Sequence, residues 1–110
     1  MSTQPTITTE RRREFRNRVM SWARRMKVEP KQIQVRRMSQ KWASCSSARY
    51  VCFSEALLQK PLVFQDYVIV HELLHLRVPN HGKLFKSLLS AYLPGWRNSI
   101  QDERVSTLSK

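Results

Sequence analysis

The feature that most constrains this chain is the segment after Pro61, LVFQDYVIVHELLHLRV, where an almost unbroken apolar helical pattern carries two histidines and a glutamate. Val68, Ile69, Val70, Leu73, Leu74 and Leu76 leave no solvent face of ordinary width, and a helix apolar nearly all round is a buried one. A polar group taken out of water without a partner costs on the order of 2 to 7 kcal/mol. Burying His71, Glu72 and His75 together therefore calls for a compensating ligand. Residues four apart lie one turn above each other, so both imidazoles project from one face at a separation that a single tetrahedral metal can bridge. Glu72 follows about 100° further round, beside such a metal without having to bind it, where a base for a metal-acidified water is wanted.

All three histidines of the protein fall within the stretch from His71 to His81. His81 comes after LeuArgValProAsn, and a turn forced by Pro79 swings it back toward the first two. Catalytic zinc usually takes three protein ligands and keeps an open position for water, so His81 completes the count. The spacing matches that of the metzincins, but Val78 stands where they need glycine, and no methionine follows Met38 to build their Met-turn. That clan is excluded.

Around this segment the pattern predicts one folded unit over residues 10–97, between a disordered N-terminus at 1–9 and a polar tail at 98–110. A helix capped by Thr8 or Thr9 begins near Glu10, buries Phe15, Val19, Trp22, Ala23 and Met26, and ends before Pro30. From Gln32 the alternation of Ile33 and Val35 with Gln34 and Arg36 predicts a strand. SerCysSerSer at 44 to 47 reads as a connection, and Tyr50 to Phe53 as a second run pairing back on the first as a short β-hairpin or small sheet. A last amphipathic helix, from about Gly82 to Leu93, sets Leu84, Phe85, Leu88, Leu89 and Tyr92 at helical spacing before Pro94 and Gly95. The fold class is α+β.

Composition matters mainly through charge. The formal net charge is +12, and 12 basic residues against 3 acidic ones lie between Glu10 and Lys41. Such a field attracts polyanions, which makes nucleic acid a candidate partner through the helix from Arg11 to Arg25. No apolar run reaches the roughly 20 residues of a membrane span, and the first residues lack the order of a secretory signal, so the chain reads as soluble and cytoplasmic. Cys45 and Cys52 then remain thiols, read as small buried side chains.

The text VRRMSQKWASCSS, the leucines at 57 and 58, Pro61, DYVIVHELLHLRVPNHGKLF and LPGW together resemble the YgjP-like metallopeptidases, zincins related to the SprT-like and WLM metalloproteases. The resemblance implies a zincin-like catalytic core over 10–97, with a short sheet beside a buried active-site helix. It also implies one zinc per chain on His71, His75 and His81, Glu72 as catalytic base, and a peptide or protein substrate. Ala43 departs from the glycine usual after that tryptophan, and Leu74 from a commonly smaller residue. Tyr67, Arg77, Tyr92 and Lys41 are chemically eligible to stabilise an oxyanion. Asp66 or Glu55 is eligible to orient a ligand imidazole. Trp42 reads either as a cleft residue beside an edge strand or as a core anchor. The alternatives are a zinc hydrolase acting on nucleotides or phosphoesters, which three histidines without a carboxylate ligand disfavour, and a DNA-associated metalloprotease.

Overall fold

The structure, a computed structural model, describes residues 8–78 and 80–96. Helix α1 spans Thr9–Met26, with Thr8 Oγ1 accepting the Arg11 N–H at 3.0 Å and Glu10 in the first turn, where an acid complements the helix dipole. Lys27, at φ 57°, closes its C-terminus in the left-handed conformation, and its N–H reaches the Ala23 and Arg24 carbonyls. The predicted stripe of Phe15, Val19, Trp22, Ala23 and Met26 is the buried one. Of the N-terminal segment assigned to disorder, residues 1–7 lie outside the described part, while Thr8 and Thr9 belong to the helix start. The predicted tail at 98–110 lies outside it as well.

Three strands follow: β1 Gln32–Arg36, β2 Ala43–Cys45 and β3 Tyr50–Ser54, in the order β1-β3-β2. The first and third do pair as expected, but in parallel, with Gln32 opposite Tyr50 and Val35 opposite Phe53. A hairpin between them is therefore excluded. The hairpin is formed instead by β2 and β3, antiparallel, with Ala43 opposite Phe53 and Cys45 opposite Val51. Ser44 and Cys45, read from sequence as connection, are strand residues, and the turn begins at Ser46, whose Oγ accepts the N–H groups of Ala48 and Tyr50.

One face of this sheet, carrying Val35, Ala43, Val51 and Phe53, is buried against the helices. Phe15 of α1 meets Phe53 edge-on at 5.1 Å between ring centres. A 3-10 turn at Glu55–Gln59, capped by Ser54, leads into α2 at Leu62–Leu74, and α3 at Lys83–Tyr92 packs on α2. No helix among the described residues is long and apolar enough to cross a membrane.

Trp42 is 2% exposed and meets Phe64 edge-on at 5.5 Å, so it anchors the core, and the cleft reading is withdrawn. Cys45 and Cys52 are free thiols, half-buried rather than buried: alternation puts Cys52 on the sheet face away from Val51 and Phe53, and Cys45, on their face, is the last residue of the edge strand β2.

Arginines tie α1 to the rest of the chain. Arg12 pairs with Glu55 and donates to the Val35 carbonyl at 2.8 Å. Arg18 pairs with Asp66 and donates to Gln65 Oε1 at 2.6 Å, while Trp22 Nε1 donates to the same Asp66 oxygen at 3.1 Å. Arg11 reaches the Leu58 carbonyl at 2.6 Å. Glu55 and Asp66 are thus anchors for α1, and the reading of either as an orienter of a ligand histidine is corrected.

Candidate metal centre

The apolar sequence of α2 buries its C-terminal half completely, and the first two polar residues of the motif go with it: His71 is 6% exposed and Glu72 1%. The helix ends by tightening. His75 keeps helical dihedrals as the C-cap, and the N–H groups of His75, Leu76 and Arg77 reach back three residues, to Glu72, Leu73 and Leu74. His75 is therefore half-buried at the mouth of the site, one turn beyond His71. Pro79, whose turn was expected to return the chain, lies outside the described residues. His81 nonetheless stands against the other two, just before Gly82 caps α3.

One ring nitrogen from each of His71, His75 and His81 lies within 4.8 Å of the others. The Nε2 atoms of His75 and His81 are 3.0 Å apart, close to the roughly 3.3 Å that separates two nitrogens sharing a tetrahedral zinc. Phe85, one turn after His81 and 2% exposed, sets its ring 5.2, 5.0 and 4.7 Å from the rings of His71, His75 and His81. It forms an apolar floor under all three. In the sequence Phe85 is one member of an amphipathic stripe; its place four residues after His81 is the signal that it shares the site.

Two buried atoms at this cluster, His71 Nδ1 and Glu72 Oε2, have no hydrogen-bond partner and lie 3.5 Å apart. Leaving such groups unsatisfied costs about 1 to 3 kcal/mol each. Burial lowers the His71 pKa to about 4, which keeps the ring neutral and able to donate a lone pair. His81 is also lowered, by burial and then by the neighbouring His71. Burial lifts Glu72 to about 7 against the opposing pull of His75, Lys41 and His81. A cation among the three nitrogens would offset both penalties, so the residues present fit a metal. They form the single group of potential metal ligands among the described residues, and it contains no carboxylate ligand.

The surroundings are built from β2 and α2. Cys45 is raised to about 11 by its burial and then by the charge of Glu72, and Tyr67 to about 12 by the same two causes. Tyr67 lies 5.6 Å from the His71 ring and stacks on Trp96 at 5.9 Å. Arg77, eligible from sequence as an oxyanion stabiliser, instead donates to the Met26 carbonyl at 3.2 Å and ties the end of α2 to α1. Tyr92 packs against the core.

A helix presenting a buried glutamate beside a histidine triad is the arrangement of a metal-dependent hydrolase, and comparison with known families agrees. Residues 4–102 match the YgjP-like metallopeptidase domain. The chain belongs to the YgjP-like metallopeptidase family. The fold is shared with two solved structures. The metallopeptidase zymogen of Methanocaldococcus jannaschii jannalysin is 24% identical, with a TM-score of 0.68 over 74% of this chain and 83% of that one. The metallopeptidase zymogen of Pyrococcus abyssi abylysin is 18% identical, with a TM-score of 0.69 over 84% of this chain and 92% of that one. A search of curated protein sequences finds no match. As a YgjP-like metallopeptidase, the protein acts on peptide or protein substrates with the help of a metal.

Proposed function

We propose that His71, His75 and His81 hold one zinc ion per chain and that Glu72 is the general base of peptide-bond hydrolysis. The observation that carries this reading is the unsatisfied buried pair of His71 Nδ1 and Glu72 Oε2 at the edge of a three-histidine cluster. Neutral imidazoles with no carboxylate among them suit zinc better than magnesium or calcium, which take oxygen ligands. When bound, the zinc acidifies a water and polarises the substrate carbonyl.

The remaining work belongs to the chain. Glu72, lifted toward neutral pH by burial, takes a proton from water and returns it to the leaving amine. Its burial excludes competing water, and Phe85 holds the imidazole plane from below. Lys41, whose charge acts on Glu72, and Tyr67, 5.6 Å from the His71 ring, are the two eligible groups that would steady negative charge there. β2 is a sheet edge packed beside α2, so an extended peptide adds along it by main-chain hydrogen bonds and brings its carbonyl to the triad. The phosphoester alternative lacks support, since no second or oxygen-rich metal group accompanies the triad among the described residues. A cytoplasmic setting fits the free thiols of Cys45 and Cys52.

The test is cleavage of unfolded casein by wild type and Glu72→Gln with zinc supplied. Wild type cleaves and the variant is slower by about 1000-fold, within the range a lost general base produces. Equal rates would remove Glu72 from the mechanism.

A further inference from the structure

The structure divides the arginines that the sequence offered as one basic helix. Arg11, Arg12 and Arg18 are held by Leu58, Glu55, Asp66 and Gln65, and the Arg25 guanidinium lies 4.1 Å over the Trp22 ring. Arg13, Arg16, Arg24 and Lys27 are exposed, and none of them has a side-chain partner among the described residues. At 100° per residue these four fall on one flank of α1, roughly half a turn from Arg18 and the side that meets α2. The row is about 21 Å long at 1.5 Å per residue. At its C-terminal end it continues into a shallow groove lined by Arg24, Lys27 and Arg49, with Glu29 the acid on its wall. Arg49 is fixed there, its Nε donating to the Glu29 carbonyl at 2.9 Å, and its own carbonyl accepts the Lys31 N–H at 2.8 Å.

Such a row is not neutral for the fold. Arg13 with Arg16, and Arg24 with Lys27, are like charges three apart, an unfavourable helix spacing, and Glu14, the one acid between either pair in sequence, lies about 100° round the helix from Arg13. We propose that this flank, Arg13, Arg16, Arg24 and Lys27 extended by Lys31 and Arg49, docks the phosphate backbone of duplex nucleic acid. A straight, rigid row of cations fits a stiff backbone carrying one charge per about 1.7 Å of axis. Single strands are instead held on aromatic platforms. Here Met20 is the one large apolar side chain exposed on α1, and Tyr50 is a lone exposed ring near the groove. Membrane-surface helices need a broad apolar face to insert, which this flank also lacks. The contacts are to phosphate, so binding is independent of base sequence.

The experiment is fluorescence anisotropy of a labelled duplex of about 20 base pairs, titrated with full-length protein from roughly 50 to 300 mM salt. Six phosphate contacts, one for each cation of the extended row, give a slope of log affinity against log salt near −5.4. Two charge-matched doubles are compared. Arg13→Gln with Arg24→Gln reduces the slope by about 1.8 and weakens binding roughly 100-fold at about 50 mM salt, whereas Lys83→Gln with Lys86→Gln on α3 leaves the slope unchanged. Casein cleavage by the arginine double stays at the wild-type rate, which shows that it is folded; if that double does not fold, Arg16→Gln alone must lower the slope by about 0.9. Equal losses from both doubles would mean attraction by net charge alone and overturn the proposal. So would tighter binding of a single strand of the same length, capture by anionic vesicles in place of duplex, or no binding at the lowest salt.

Discussion

The two longest helices both carry polar groups into or beside the core, and they treat them in opposite ways. Along α1, every arginine beside the core has an acceptor or a ring: Leu58, Val35 and Glu55, Gln65 and Asp66, or Trp22. At the end of α2, His71 Nδ1 and Glu72 Oε2 are more deeply buried and have no hydrogen-bond partner. On these two helices the arginines that tie the fold together are satisfied within it, whereas the two buried atoms at the histidine cluster are not. This difference separates architecture from site without appeal to motif.

The largest effect that would break this contrast is at His75. On the proposed assignment, replacing it with alanine would remove one of three metal donors, and casein cleavage should fall by more than about 1000-fold, since even losing an outer partner of a ligand typically costs 10- to 100-fold. A His75→Ala enzyme within tenfold of wild type would mean that the triad is not the metal centre.

Metal-free stability sharpens the comparison further. Glu72 has a folded pKa of about 7 against an ordinary 4.5, so the folded chain holds its proton more tightly than the unfolded one. Stability from that proton is complete below about pH 4.5 and is lost as pH rises through 7. His71, lowered to about 4 from 6.5, behaves oppositely: stability is intact above about 6.5 and declines as pH falls toward 4. Glu72→Gln, which cannot ionise, should remove the first loss, leaving metal-free variant about 3 kcal/mol more stable than wild type at pH 8 relative to pH 4.5. Thermal unfolding at the two pH values reads this, and parallel behaviour of the two proteins would place the carboxylate in water.

On the α1 side, Arg18→Ala removes contacts to Gln65 and Asp66 that are about a third exposed. Its cost should be about 1 to 2 kcal/mol, seen as a lower denaturant midpoint at unchanged zinc content. A loss of zinc in that variant would mean that α1 supports the site directly. The smallest effect is in the pH profile. The acid limb of kcat/KM should lie at or below about pH 7, since a bound dication favours the charged carboxylate, and it should vanish in Glu72→Gln.

How much of this was legible in the sequence follows from the range of the interactions. The α2 segment announced itself because burial and the histidine spacing are both local, and the α1 stripe because its period is 3.6. β2 was missed because three residues show no alternation, and the serines around Cys45 read as a turn. The parallel pairing of β1 with β3 was missed because residues 37–49 bridge the two strands, and nothing local distinguishes that crossover from a long hairpin connection. Asp66 and Glu55 were misread because their arginine partners sit more than forty positions away, at Arg18 and Arg12. Phe85 was recognised as apolar but not as the floor of the triad, a relation that exists only once α3 packs on α2.

The most direct measurement is zinc per chain in purified wild type, Glu72→Gln and His75→Ala, by elemental analysis after exhaustive dialysis. The account predicts about one zinc in wild type and in Glu72→Gln, and little in His75→Ala, as a three-histidine site with a non-ligand glutamate requires. Zinc retained in His75→Ala, or absent from wild type, would contradict it.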